Sequence, residues 1–454
     1  MEQMAMEAAP ARAAPVQQWA MVAVLTLFGT LAAIDKNLLA LLVGDIKADL
    51  GISDVQMGVV IGIAFAFANA AISVPAGWLA DRADRRWVVA LGVVIWSTMA
   101  VGCGMARSFT QLFVARMGVG VGEGVSPPAA YSLISDGVDP ASRGRAFGFY
   151  SIGGAVGGGL AWILGGALLA VISAAGVQRL PLLGSMHPWQ IALVVIGLAG
   201  LPLSALAFTF PKPRRVLQEG GLDFGATLRL VRGNAALLLP LAVFSTSQAL
   251  LTSAVAAWVP AMLGRTYGLA PQQIGPVLGV ILIVVAPIGL FGAGAMMDRL
   301  SRRGAGFVAL VAALGLAGAA AILPQVPSFH VFLLFQTVLM LFSTTYLPVT
   351  STIVSRTMPS ASIGKTMAFY LLLQGVIGAG LGPLVTALIA DRVFAGDPYS
   401  LNWAISATAV LAGSTAALGA LGMIRAERQG LKAHASPVAR SELEAEMLTV
   451  QERP

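Results

Sequence analysis

The chain has 454 residues, 57% of them hydrophobic and only 11% charged, with a net charge of +7. Soluble domains carry about 25% charged residues, so a molecule that turns most of its surface to water is excluded. The positive balance does not point to nucleic acid either, because the basic residues sit in short loops between apolar runs.

Polar residues 1–17 open the chain and are expected to be disordered at the cytoplasmic N-terminus. The apolar run after them is too long for a signal-peptide core and shows no cleavage site. Apolar runs then recur at 18–44, 54–80, 87–106, 109–136, 143–174 and 189–210. A polar, basic stretch fills 211–234, and six more runs follow at 235–264, 272–298, 305–324, 329–357, 363–391 and 400–424. Each is long enough to cross a hydrocarbon core of roughly 30 Å. In lipid the backbone must pair within its own segment, so each run is expected to be a helix. The short alternating segments of a membrane barrel are missing. The expectation is an all-α membrane protein of twelve transmembrane helices in two six-helix bundles, 18–210 and 235–424, joined by a cytoplasmic linker at 211–234. The charged tail, 425–454, is expected to be a disordered or amphipathic cytoplasmic extension.

An even number of spans puts both termini on one side of the bilayer. The termini and loops of that side hold 21 of the 28 Lys and Arg, against five in the opposite loops: Lys47, Arg107, Arg179, Arg265 and Arg392. Both termini are therefore expected in the cytoplasm, with the protein in the cell inner membrane. Trp19, Trp78, Trp87, Trp189 and Trp403 fall near helix ends, where an amphipathic ring prefers to sit. The single cysteine, Cys103, lies in an apolar run, so no intramolecular disulfide is possible.

The two halves echo each other. The pattern G-x3-D-R-x2-R-R occurs from Gly77 to Arg86, after helix 2, and again from Gly294 to Arg303, after helix 8. Ile134, Ser135, Gly144, Arg145, Phe149 and Tyr150 match Val354, Ser355, Gly364, Lys365, Phe369 and Tyr370 at a constant shift of 220. Two echoes at nearly one offset indicate a duplicated six-helix unit, the parallel-repeat plan of many secondary transporters.

With these loops the sequence resembles the major facilitator superfamily over essentially its whole length. The loop after helix 2 is similar to that family's signature loop, although Asp84 stands where the signature usually has Gly. Arg116-x-Gly118-x-Gly120-x-Gly122-Glu123-Gly124 is similar to its helix-4 motif. Helix 5 carries Gly153, Gly154, Gly157, Gly158 and Gly159 but lacks the proline of the antiporter motif, so the direction of coupling stays open. Ile34-Asp35-Lys36-Asn37 in helix 1, with Glu123 followed by Ser126-Pro127-Pro128, resembles the spinster-like branch; sugar-acid symporters share parts of this pattern. The resemblance implies a major facilitator fold that works as a monomer by alternating access. It also implies a lysolipid or sphingoid-phosphate class of substrate. The alternatives are a proton symporter of sugar acids or organic anions, a drug exporter, and an uncoupled lipid facilitator.

Ionisable groups at helix centres cost about 2.5–3.5 kcal/mol each on insertion scales and mark function by default. Asp35, Lys36, Arg116 and Glu123 are the four, all in the first half. Arg116 and Glu123 are seven residues apart, on one helix face and roughly 10 Å apart along the axis. Helices 1 and 4 line the central cavity of the resembled fold, so Asp35 is expected to face the same space. Asp35 and Glu123 are expected to couple transport to protons while Arg116 binds an anionic head group. A permanent Asp35–Arg116 pair that locks helix 1 to helix 4 fits the same residues. Lys36 sits about 100° around the helix from Asp35 and is expected to snorkel or pair locally. In the second half the candidates are neutral: Ser247, Gln248, Tyr346, Tyr370 and Gln374, with Tyr150 from helix 5, as substrate contacts. Their neighbours Ser245, Thr246, Thr252, Ser253, Thr344 and Thr345 add hydroxyls. The resemblance implies a cytoplasmic latch at Gly77, Asp81, Arg82 and Arg85, with Asp298 and Arg299 as its copy; plain charge topology would explain the same arginines.

The helix-5 glycines read as close helix packing. The glycines at 118 to 124 lie in mid-membrane with no strand before them, so they make no dinucleotide loop. Gly364-Lys365-Thr366 lacks the glycine a P-loop needs five positions earlier, where Pro359 stands, so an ATP-driven pump is not expected. No nucleophile and base pair up, and His187, His330 and His434 lie in loops or the tail. No enzyme, cofactor, metal or nucleic-acid partner is expected. The partners are a small-molecule or lipid substrate, protons and membrane lipids.

Overall fold

A computed structural model describes residues 14–139, 142–175, 179–180, 184–210, 224–300 and 304–435. Eleven helices in it are long and apolar enough to cross a membrane. A twelfth long helix, Phe109–Gly137, is less apolar, since it holds Arg116, Glu123 and a run of glycines.

The helices follow the local chemistry of their ends. α1 (Pro15–Leu41) starts on a proline, whose missing N–H costs nothing in a first turn. It leads through Leu42 into a short helix, Val43–Leu50, which Gly51 ends in the left-handed region at φ 63°. That backbone conformation suits glycine. α2 (Asp54–Ala80) is opened by a capping box in which Ser53 and Gln56 satisfy each other's backbone N–H. A π turn, Val60–Ala64, interrupts it just before Phe65. α3 (Arg85–Gly104) is capped by Asp84, which accepts from Arg86 N at 3.0 Å. The acid that departs from the signature loop thus starts a helix rather than making a tight turn. α4 (Phe109–Gly137) follows a Ser108 cap. α5 (Arg143–Ala175) is followed by a minimal antiparallel strand pair, Arg179–Leu180 with Gly184–Ser185, and then by α6 (Pro188–Thr209).

After a short helix, Phe224–Gly233, the second set begins. It comprises α7 (Ala235–Tyr267), α8 (Pro271–Arg299), α9 (Ala305–Gln325), α10 (Phe329–Thr357), α11 (Ser362–Arg392) and α12 (Ser400–Gln429). α11 carries its own π turn, Gln374–Ala379. The last helix continues to Ala435, well into the expected tail, and residues 436–454 lie outside the described part. Most of the expected N-terminal segment and of the linker also lies outside it.

Packing divides the chain into two compact units. The first comprises residues 1–219 and 256–283, the second 220–255 and 284–454. The boundary thus falls inside α7 and α8 rather than only in the linker. In the first unit α4 packs on α2 and α3, α1 on α5, and α3 on α6. In the second, α9 packs on α12 and α10, and Phe244, Val308, Val349, Ile353 and Met423 belong to its core. The helix-5 glycines divide between two neighbours. A Cβ on Gly157 would lie 2.6 Å from Thr30 O of α1, and one on Gly159 2.7 Å from Gly279 O of α8, whereas Gly154 meets nothing within 4 Å.

Candidate functional site

The charged cluster is built by close packing of α4. A Cβ at Gly120 would lie 2.5 Å from Phe65 O of α2, and one at Gly122 would lie 2.3 Å from Trp96 N of α3. Only hydrogen fits at these positions, so both neighbouring backbones come up against the helix that carries Arg116 and Glu123. Phe65 is thereby brought level with Arg116.

Asp35 and Arg116 are each 1% exposed and meet in an ion pair, Arg116 Nη1 donating to Asp35 Oδ2 at 2.8 Å. That bond uses one guanidinium nitrogen. Nε and Nη2 of Arg116 are buried without a hydrogen-bond partner, and so is Oε1 of Glu123. The Arg116 guanidinium sits 5.1 Å from the Phe65 ring centre and Lys36 Nζ 5.2 Å from the same ring. Glu123 lies within electrostatic range of Asp35, Arg116 and Lys36. Lys36 is exposed, yet its ammonium reaches the ring that Arg116 faces. Helical spacing separates it from Asp35, but its long stem reaches the Phe65 ring. Two cations face one aromatic ring, with two carboxylates within electrostatic range of them, and Arg116 and Glu123 keep unsatisfied polar atoms.

The neutral candidates separate into two kinds. Tyr370, expected as a substrate contact, is 3% exposed in the core of the second unit and donates its hydroxyl to Leu238 O at 2.6 Å. Ser247 accepts from the Thr415 hydroxyl of α12 at 2.9 Å. Tyr346 packs against the same core as Tyr370. Ser245, Thr252, Ser253, Thr344 and Thr345 donate to carbonyls, the usual role of hydroxyls in membrane helices. Gln248 differs, being fully buried with both ends of its amide unpartnered. Gln374 is buried where the α11 π turn begins and reaches Thr350 Oγ1 at 3.5 Å. Tyr150 joins Tyr131 edge-on at 5.4 Å, and Tyr131 lies 5.7 Å from Phe147.

In the loop after α2, Arg85 forms a partly buried ion pair with Asp136 at the end of α4. Arg82 stacks on Trp78 at 4.1 Å. Among the described residues a Cβ on Gly77 meets nothing within 4 Å. The side chain of Asp81 lies outside the described residues, as do residues 301–303 after Asp298 and Arg299, both of which are exposed.

Another charged knot escaped the sequence reading. Asp54 is bound by Lys47 and, bidentately, by Arg265 at 2.6 and 2.9 Å. Lys47 and Arg265 had counted only toward topology. Their signal was three charges at helix ends, with no pattern to say that they meet. A cavity of about 570 Å³ lies elsewhere in the first unit, lined by Asp45, Asp49, His187 and Trp189 among others. Burial pushes the Asp45 carboxyl up. Asp49 accepts from the Trp189 indole at 3.0 Å, and Trp189, expected at an interface, is buried.

Residues 25–383 match the family described as Major Facilitator Superfamily. An MFS-type efflux pump of Mycolicibacterium smegmatis is 27% identical over 389 residues, spanning 84% of this chain and 86% of that one. A hexuronate transporter of Bacillus subtilis is 24% identical, spanning 88% and 92%. Among solved structures, a bacterial homologue of the human lysosomal transporter Spinster, in an inward-facing and unoccupied conformation, superposes with a TM-score of 0.80. It is 25% identical, and the match covers 94% of this chain and 100% of that one.

Proposed function

This chain belongs to the major facilitator superfamily, and from that premise we propose that it is a proton-coupled transporter of an amphipathic anion. Both termini face the cytoplasm, and the cluster around Phe65 opens alternately to each side of the inner membrane. The observation that carries the reading is the half-satisfied Arg116. Asp35 holds one of its nitrogens, while Nε and Nη2 stay unpartnered beside an equally unsatisfied Glu123. A buried polar group without a partner costs about 1–3 kcal/mol, so a permanent lock would have paired these atoms. A substrate carboxylate or phosphate supplies what they lack, and Lys36 adds a second positive charge. Glu123 and Asp35 take up the proton that balances the cycle. The Asp54 clamp ties α2 to α7 by a charge-assisted bond that can open and reform. Asp81 and Arg82, with Asp298 and Arg299 as the repeated copy, belong to the opposite, cytoplasmic latch, in which Arg85 holds Asp136.

A lysolipid or sphingoid phosphate fits the Spinster likeness. A sugar acid fits the hexuronate relative and the unpartnered amide of Gln248, which would read substrate hydroxyls together with Gln374. A thermal-shift screen of the purified protein against lysophosphatidic acid, sphingosine 1-phosphate, glucuronate and galactonate separates the two. Stabilisation by one class, abolished in Arg116→Ala, is expected. Stabilisation that persists undiminished in Arg116→Ala would remove the head-group role.

A further inference from the structure

The short helix Phe224–Gly233 falls inside the stretch expected to be a linker, and the transport reading makes no use of it. Its inner stripe is Thr227, Leu230, Val231 and Asn234, the spacing of one helical face. Thr227 is buried with its hydroxyl 3.4 Å from that of Ser362, at the start of α11. Leu230 and Val231 pack against the core of the second unit. Asn234 donates its side-chain amide to Leu230 O, and its carbonyl accepts from Leu238 N in the first turn of α7. The helix is thus pinned where two membrane-spanning helices begin, at the depth of the lipid headgroups.

Its outer face carries exposed Leu228, Arg229 and Arg232. The two arginines are three residues apart and so point the same way. The helix holds no acidic residue. Exposed Lys365 follows one turn into α11. Guanidinium groups at headgroup depth complement phosphates, and Leu228 beside them on the outer face reaches the acyl boundary. We propose that this face is a docking site for anionic phospholipid, which holds the segment before α7 on the membrane surface.

The test uses the full-length protein in nanodiscs of pure phosphatidylcholine and of phosphatidylcholine with phosphatidylglycerol, read by amide hydrogen exchange. Each arginine strengthens headgroup binding by roughly fivefold. Amides of 224–233 are expected to exchange several times more slowly with phosphatidylglycerol present, and the effect should shrink at about 0.5 M salt. The R229Q/R232Q protein should lose the lipid difference, and the R229K/R232K protein should retain most of it. Unchanged protection of the α9 amides shows that each variant is folded. Equal exchange of wild-type 224–233 in both lipids would mean a merely solvated face. A lipid difference that survives R229Q/R232Q would assign it to other cations. Either result overturns the proposal.

Discussion

Helices α4 and α10 follow one plan at the shift of 220 residues. Leu112, Val119, Ala129 and Ile134 are buried in the first, and Phe332, Leu339, Val349 and Val354 are buried at the matching positions of the second. Pro128 corresponds to Pro348. At the chemical positions the copies part. Arg116 corresponds to Gln336, 1% and 0% exposed, and Glu123 to Ser343. Even the tie to the first helix of the same unit has a neutral version. Where Arg116 binds Asp35 of α1, Ser343 O accepts from the Thr252 hydroxyl of α7 at 3.1 Å. Duplication preserved the packing, whereas the buried charged residues among the described residues, Asp35, Asp54, Arg85 and Arg116, lie in the first unit. A packed apolar face tolerates copying because it needs only volume and periodicity. A buried charge needs a partner within reach, and at Gln336 the amide finds no hydrogen-bond partner at either end among the described residues.

The comparison can be broken most severely at Arg116. Arg116→Ala leaves Asp35 as an uncompensated buried charge, which costs about 3–5 kcal/mol. Transport in proteoliposomes should vanish and the melting temperature should fall. The D35N/R116Q double variant should recover the melting temperature but not transport; recovery of both would make the pair a lock and nothing more. Glu123→Gln mimics the protonated acid. It should cut gradient-driven accumulation by tenfold or more and flatten the pH dependence of uptake, with substrate binding retained. An unaltered pH profile would take Glu123 out of proton coupling. Lys36→Gln should raise KM about tenfold with little change in melting, as expected for a charge-assisted contact of roughly 1.5 kcal/mol. The smallest effect belongs to the neutral copy. Gln336→Leu removes an unpartnered amide and should raise stability by about 1 kcal/mol, with transport near wild type. A large loss of transport would give the second unit a polar contact of its own.

The spans, the repeat and the four ionisable residues of α1 and α4 were legible along the chain. Partners were not. Asp35 with Arg116 was one of two open readings, and the structure makes the pair while leaving the guanidinium half used. Lys36 was set aside on helical angle, yet Phe65, from a helix the reading did not connect with it, brings it beside Arg116. Tyr370 looked like a cavity tyrosine, and its hydroxyl belongs to Leu238 O. The glycines of α4 were read as no nucleotide loop, but their role in drawing α2 and α3 inward shows only in three dimensions.

Hydrophobic length, loop charge and the rarity of charges in apolar runs are summed residue by residue, because each side chain meets the bilayer at its own cost. That is why the order of twelve helices and the identity of the ionisable four can be read from 454 letters. Which charge meets which depends on helix rotation and on backbone approaches of a few ångströms. These are set by side chains hundreds of positions apart, as when Arg265 closes on Asp54. Packing of the folded chain settled those pairs.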